Sequence, residues 1–113
     1  MKSYAEWEMN YEAEILQAEA ARSEGNEGMA RVCARRAAGI VVGEYLRRHN
    51  ILIKSKSSFE RMNFMLNQPE EDDDMKEILR YLLLRVTKDH TLPIDVDLID
   101  ATRKLKAHLI EDI

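Results

Sequence analysis

Ala30-Arg-Val-Cys-Ala-Arg-Arg-Ala-Ala-Gly-Ile-Val-Val-Gly-Glu-Tyr45 is the stretch that decides the fold. It holds no proline, and alanine dominates it, so it reads as the middle of a helix running from about Glu27 to Arg48. Ala30, Cys33, Ala34, Ala37, Ala38, Gly39 and Gly43 give that helix a face of very small side chains. A glycine inside a helix costs about 1 kcal/mol relative to alanine, so Gly39 and Gly43 need a compensating gain. The close approach of another helix backbone would supply it. Ile40, Val41 and Val42 make the helix apolar nearly all round at the same level, which points to deep burial. This segment is the packing centre of the fold, or of a dimer.

Working towards the N-terminus, Asn26 can cap this helix, and Gly25 can stop a preceding one by adopting positive φ. Tyr4, Trp7, Tyr11, Ile15 and Ala18 recur at spacings of three and four on an otherwise acidic segment. Ser3-x-x-Glu6 is a capping-box pattern that starts that first helix near Ser3. The two helices form an αα-hairpin joined by the tight Gly25-Asn-Glu-Gly28 turn.

Towards the C-terminus, Asn50 to Lys56 is a connector and Ser57-x-x-Glu60 is a second capping box. A short third helix follows, with Phe59, Met62, Met65 and Leu66 facing inward. Pro69 and the acidic run Glu70 to Asp74 end it, and the last aspartates of the run cap the next helix. The run lacks the alternating ligands and the glycine of a calcium loop. Met75, Ile78, Leu79, Leu82, Leu83 and Val86 line a fourth helix ending near Asp89. His90-Thr-Leu-Pro93 is a turn, and Asp95 or Asp97 caps a last helix whose inner face is Leu98, Thr102, Leu105 and Leu109. The expected architecture is therefore all-α: a single domain over residues 1–113, built as a four- to five-helix up-and-down bundle with a leading αα-hairpin.

Composition agrees. Of the 113 residues 45% are apolar and 34% charged, which suits a globular chain and not a disordered one. Cys33 is the only cysteine, so it reads as a buried filler in a reducing compartment, and cytoplasm is the expected location. The N-terminus has no apolar core of a signal peptide, and no run is long enough for a membrane span. The net charge of −4 is unevenly spread: about −5 over residues 1–27, +6 over 28–63 and −5 over 64–113. Either the basic middle neutralises its acidic neighbours in the bundle or a dimer, or it forms a strip that attracts phosphates.

The sequence contains no P-loop, dinucleotide fingerprint, His-Glu-x-x-His, Cys-x-x-Cys or nucleophile elbow. No cofactor and no metal site is expected. Two constellations remain. Arg31, Arg35 and Arg36 open the small-residue helix, with Arg22 just before the hairpin turn. They can hold a phosphate through guanidinium contacts, or pair with Glu24, Glu27 and the acids of the first helix. Arg47, Arg48, Lys54 and Lys56 lengthen the basic strip, with His49 at the helix end. The second constellation is Arg85-Val-Thr-Lys-Asp-His90, and Arg103-Lys-Leu-Lys-Ala-His108 repeats its spacing. The first stands beside a turn, where both side chains can reach solvent. A histidine titrating near neutrality can move a proton, and a guanidinium can stabilise charge growing on phosphate oxygens.

A two-helix hairpin with an alanine-rich second helix, further helices, and a late Arg-x4-His element resembles the HEPN superfamily. That resemblance implies a small helical bundle, often a homodimer. Some members are metal-independent RNases using that Arg and His from both subunits; others bind nucleotides or nucleic acid without catalysis. Here it gives Arg85 the phosphate-stabilising role and His90 acid–base work, while the family's polar residue after the Arg is Val86. The leading expectation is a HEPN-like, homodimeric nucleotide- or RNA-binding accessory module. The alternatives are a metal-independent endoribonuclease and a bundle that docks another protein.

Overall fold

The computed structural model describes residues 5–55, 57–68, 72–85 and 96–110. Within them lie five helices and no strand: α1 (Glu6–Ser23), α2 (Glu27–Arg48), α3 (Ser58–Leu66), α4 (Asp73–Leu82) and α5 (Leu98–Leu109). Consecutive helices are neighbours along the whole chain, and α2 also packs on α5. The all-α bundle with a leading hairpin is therefore what the chain forms. No helix among the described residues is long and apolar enough to cross a membrane.

The hairpin turn follows from two residues. Gly25 takes φ +81, the amide of Asn26 reaches the Ala21 carbonyl at 2.8 Å, and the amide of Gly25 reaches Arg22 at 3.0 Å. This pair of bonds satisfies the last carbonyls of α1. Asn26 then accepts from the amide of Met29 at 3.1 Å and starts α2. At the other end α1 begins at Glu6, with Ala5 extended and no side-chain cap; Ser3 lies outside the described residues. Tyr11, Ile15, Ala18 and Ala21 face inward.

The small-residue face of α2 is filled from within the chain. Ser58, the first residue of α3, sits so close to Gly39 that an added Cβ would lie 2.6 Å from its Cβ and 2.9 Å from its Cα. The guanidinium of Arg61 covers Gly43 and donates to the Gly39 carbonyl at 3.1 Å. The two glycines are thus the seat of α3, so this face no longer argues for a dimer. Cys33 is buried, its Sγ 3.8 Å from Gln17 Oε1, and burial pushes its thiol pKa up. A second positive-φ turn ends α2: Asn50 (φ 57) lets the amide of Ile51 reach Leu46 at 2.9 Å.

Two features differ from the sequence expectation. Met62 and Met65 are buried as expected and Leu66 packs on the core, but Phe59 is only half-buried and stands outside that core. Ser58 takes the contact with α2 because only a small side chain fits against Gly39, and this turns Phe59 to the edge. The fourth helix ends at Leu82, not near Asp89. Arg35 reaches across from α2, and its Nε and Nη2 donate to the carbonyls of Leu82 (2.9 Å) and Leu84. The chain end that would have continued the helix is tied off there instead.

The remaining caps fall where the sequence puts them. Ser57 Oγ accepts from the amide of Glu60 at 3.4 Å, and Asp72 accepts from Met75 at 2.7 Å. Asp97 accepts from Ile99 at 3.0 Å and Asp100 at 3.2 Å. Pro69, Glu70, Glu71 and Asp95 lie outside the described residues. Inside α5, the fully buried Thr102 hydroxyl lies 2.8 Å from the Leu98 carbonyl and 3.1 Å from that of Ala34, fastening α5 to α2.

Candidate functional site

The two arginine constellations, separate in sequence, meet in space. Arg35 projects from α2 towards the end of α4, and Arg85 lies three residues beyond that end. The Cζ atoms of both stand 5.7 Å from the ring centroid of Phe59, within range of a cation–π contact. Burial pulls the pKa of Arg35 down, and the positive charges of Arg31 and Arg85 pull it further. Arg35 thus feels two further guanidinium groups, and it shares one half-buried ring with Arg85.

Of this group, Arg31 acts on the carboxylate of Glu27. Among the described residues, Arg35 and Arg85 make no ion pair; the donors of Arg35 go to two carbonyls, and Arg85 is exposed. Arg31 is half-exposed and has a partner of its own. Like charges held together raise each other's energy, and an anion seated among them relieves that repulsion. A phosphate is the natural fit, since guanidinium presents paired donors to its oxygens.

Among the described residues, Arg22, Arg36, Arg47 and Arg48 do not join. Arg36 is one position past Arg35, so it turns about 100° away around the helix. It stands exposed and exerts its field on Cys33 instead. Arg22 is held by Glu27 (2.7 Å) and Asp97 (3.0 Å). Arg47 and Arg48 converge on the buried carboxylate of Glu44 at 2.6 and 2.7 Å. His49 lies against Tyr45, ring centroids 4.2 Å apart, as a helix-end residue. Arg22, Arg47 and Arg48 therefore neutralise acids, and Arg35 and Arg85 remain as the cationic focus, with Arg31 acting on Arg35 from one turn away.

His90, the acid–base candidate, lies outside the described residues, as do Val86 and Lys56. The second Arg-x4-His match is pulled apart by its neighbours: Arg103 bonds Glu19 on α1 at 2.5 Å, and His108 bonds Asp72 beside α4 at 2.9 Å. No group of three His, Cys, Asp or Glu residues able to hold a metal ion occurs among the described residues. Phe59 is the site residue that sequence reasoning missed. The contact of Ser58 with Gly39 sets its place, and that contact joins residues 19 apart in sequence.

No protein-family model matches the chain, and no curated protein or solved structure is significantly similar to it. Fold and site together define an all-α bundle with an arginine–aromatic cluster at the junction of α2, α3 and the end of α4.

Proposed function

We propose that this chain is a HEPN-like accessory module that binds a phosphate-bearing ligand, a nucleotide or RNA, at Arg35 and Arg85 around Phe59, with Arg31 one turn away on α2 as a third cation. The carrying observation is that Arg35 and Arg85 share the Phe59 ring with no carboxylate partner among the described residues. Arg85 is the exposed hand of the site and Arg35 its half-buried anchor. Phe59 offers an apolar ring edge beside the phosphate position, where a base can rest.

Fluorescence anisotropy with a labelled single-stranded RNA, repeated with ATP as competitor, tests this. Three phosphate contacts predict a slope near −2 in log affinity against log salt, from about −0.7 per contact. Arg85→Ala is expected to weaken binding about tenfold and flatten the slope by roughly 0.7, as the loss of one charged contact requires. No binding at low salt, or an unchanged slope in Arg85→Ala, overturns the reading.

The nuclease alternative uses the same Arg85 and adds His90 as the proton-transfer group. Incubation of end-labelled RNA in EDTA beside His90→Ala decides it. Cleavage lost in the variant establishes an RNase, and intact RNA with both proteins leaves a binding module.

A further inference from the structure

The connector that follows α2 folds back beside it and encloses a small cavity with α3. Asn50 takes φ 57, the amide of Ile51 reaches the Leu46 carbonyl at 2.9 Å, and Ile51 and Ile53 pack on the core. Between them Leu52 is 96% exposed. The cavity holds about 160 Å³, and Leu46, Ile51, Leu52 and Ile53 give it apolar walls. Gly43 also borders it and contributes no side chain. Arg61 and Arg47 complete the lining, and among the described residues no acid joins them.

Arg61 has more donors than its task in the fold uses. Its Nη1 donates to the Gly39 carbonyl at 3.1 Å, which straps α3 to α2. Among the described residues its Nε and Nη2 donate to nothing and the guanidinium makes no ion pair, although the side chain is half-buried. A partly buried guanidinium gains from a carboxylate, which accepts two parallel N–H bonds. Gly43 is what lets the group lie at the cavity wall: an added Cβ would stand 2.5 Å from Nη1 and 2.9 Å from Cζ. Arg47 adds charge at the rim. It shares the single carboxylate of Glu44 with Arg48, at 2.6 and 2.7 Å, so those three groups together remain positive.

We propose that this cavity binds a short, branched apolar carboxylate, with Arg61 on the carboxylate and Leu46, Ile51 and Ile53 around the alkyl group. A phosphate would leave the apolar walls without a partner, and a neutral alkyl group would leave the guanidinium without one. The volume lies below the roughly 300 Å³ at which pockets for drug-sized ligands begin, so the ligand is small. A free branched-chain acid has this chemistry, and so has the C-terminal residue of a peptide ending in leucine, isoleucine or valine. The site does not rest on the phosphate reading. Phe59 and Arg61 are two positions apart, about 200° around α3, and so face opposite flanks of that helix.

Titration of the isotope-labelled full chain with isovalerate, followed by amide shifts in NMR, is the test. The amides of Gly43, Ile51, Leu52 and Ile53 are expected to move together with a Kd on the order of 1 mM, as a ligand this small allows. N-acetyl-leucine stands in for a peptide C-terminus, and the tighter binder of the two names the source. Arg61→Gln is expected to weaken isovalerate about tenfold or more, as the loss of a charge-assisted pair requires. Gly43→Ala pushes the guanidinium aside, so it should weaken binding several-fold while stability barely changes. Isovaleramide, which lacks the charge, and acetate, which lacks the branched group, should each bind far more weakly. The proposal is overturned if about 20 mM isovalerate, well above the expected Kd, moves none of these amides. Equal binding of isovaleramide or acetate overturns it too, as does unchanged affinity in Arg61→Gln. The ligand comparison uses the wild type alone, so it decides the matter even if Arg61→Gln fails to fold.

Discussion

At the scale of single residues, two glycines one helical turn apart carry different burdens. A methyl at Gly39 would run into the backbone of Ser58, which cannot move without shifting the whole of α3. A methyl at Gly43 would meet Arg61 Nη1 at 2.5 Å and Cζ at 2.9 Å, the mobile end of a long side chain. Gly39→Ala is therefore expected to cost about 2–3 kcal/mol or more, as overpacking does. Gly43→Ala should change stability by less than about 1 kcal/mol, because the gain in helix propensity offsets the displaced guanidinium. Urea denaturation of both variants checks the contrast; equal costs would mean that α3 does not depend on Gly39 for its seat. The sequence showed that this face needed a close neighbour. Nothing in it showed that the neighbour was Ser58, whose side chain is small enough to fit and whose position turns Phe59 towards the arginines.

At the scale of helices, the starts of α2 to α5 were legible, whereas the start of α1 at Glu6 and the stop of α4 were not. Asn26, Ser57, Asp72 and Asp97 each accept from amides two or three residues on, as local patterns imply, and Gly25 ends α1 with its own backbone. The end of α4 is different. Leu82, Leu83 and Leu84 continue an apolar pattern, so the sequence favours a helix reaching Asp89. The stop comes from Arg35, 47 residues earlier than Leu82, whose guanidinium takes the terminal carbonyls. A contact that distant in sequence leaves no local trace. It also makes Arg35 a positioning residue for Arg85, which gives a testable asymmetry. Arg35→Lys keeps the charge but cannot span two carbonyls. Hydrogen exchange is expected to quicken at the amides of residues 82–85, with a stability loss of about 1–2 kcal/mol. RNA affinity should fall along with it. Unchanged exchange in that segment would show that Arg35 does not hold the end of α4.

At the scale of the whole molecule, the basic middle of the sequence works in two ways that charge counting could not separate. Arg22, Arg47 and Arg48 are spent on Glu27, Asp97 and Glu44, whereas Arg35 and Arg85 gather around Phe59. The first group sets the response to acid. The bonds from Arg22 hold Glu27 below the usual carboxylate range, and those from Arg47, then Arg48, do the same for Glu44 against the cost of its burial. The amide of Met75, then His108, lowers Asp72. Burial works to raise Asp97, but the amide of Asp100 and the guanidinium of Arg22 outweigh it. Each of these groups has a lower pKa folded than unfolded, so the unfolded chain binds more protons in mild acid. Their stabilising contribution is complete above the unfolded values and is lost as pH falls through the folded ones. Thermal melts are therefore expected to show a falling Tm between about pH 5 and pH 2. Glu44→Gln isolates one contributor: it keeps the side-chain shape, removes the charge that Arg47 and Arg48 share, and cannot titrate. The variant should melt lower than the wild type at neutral pH, and the gap should narrow as pH drops through the carboxylate range. A gap that stays constant with pH would mean that Glu44 contributes through packing alone, and that its two arginines are not held by its charge.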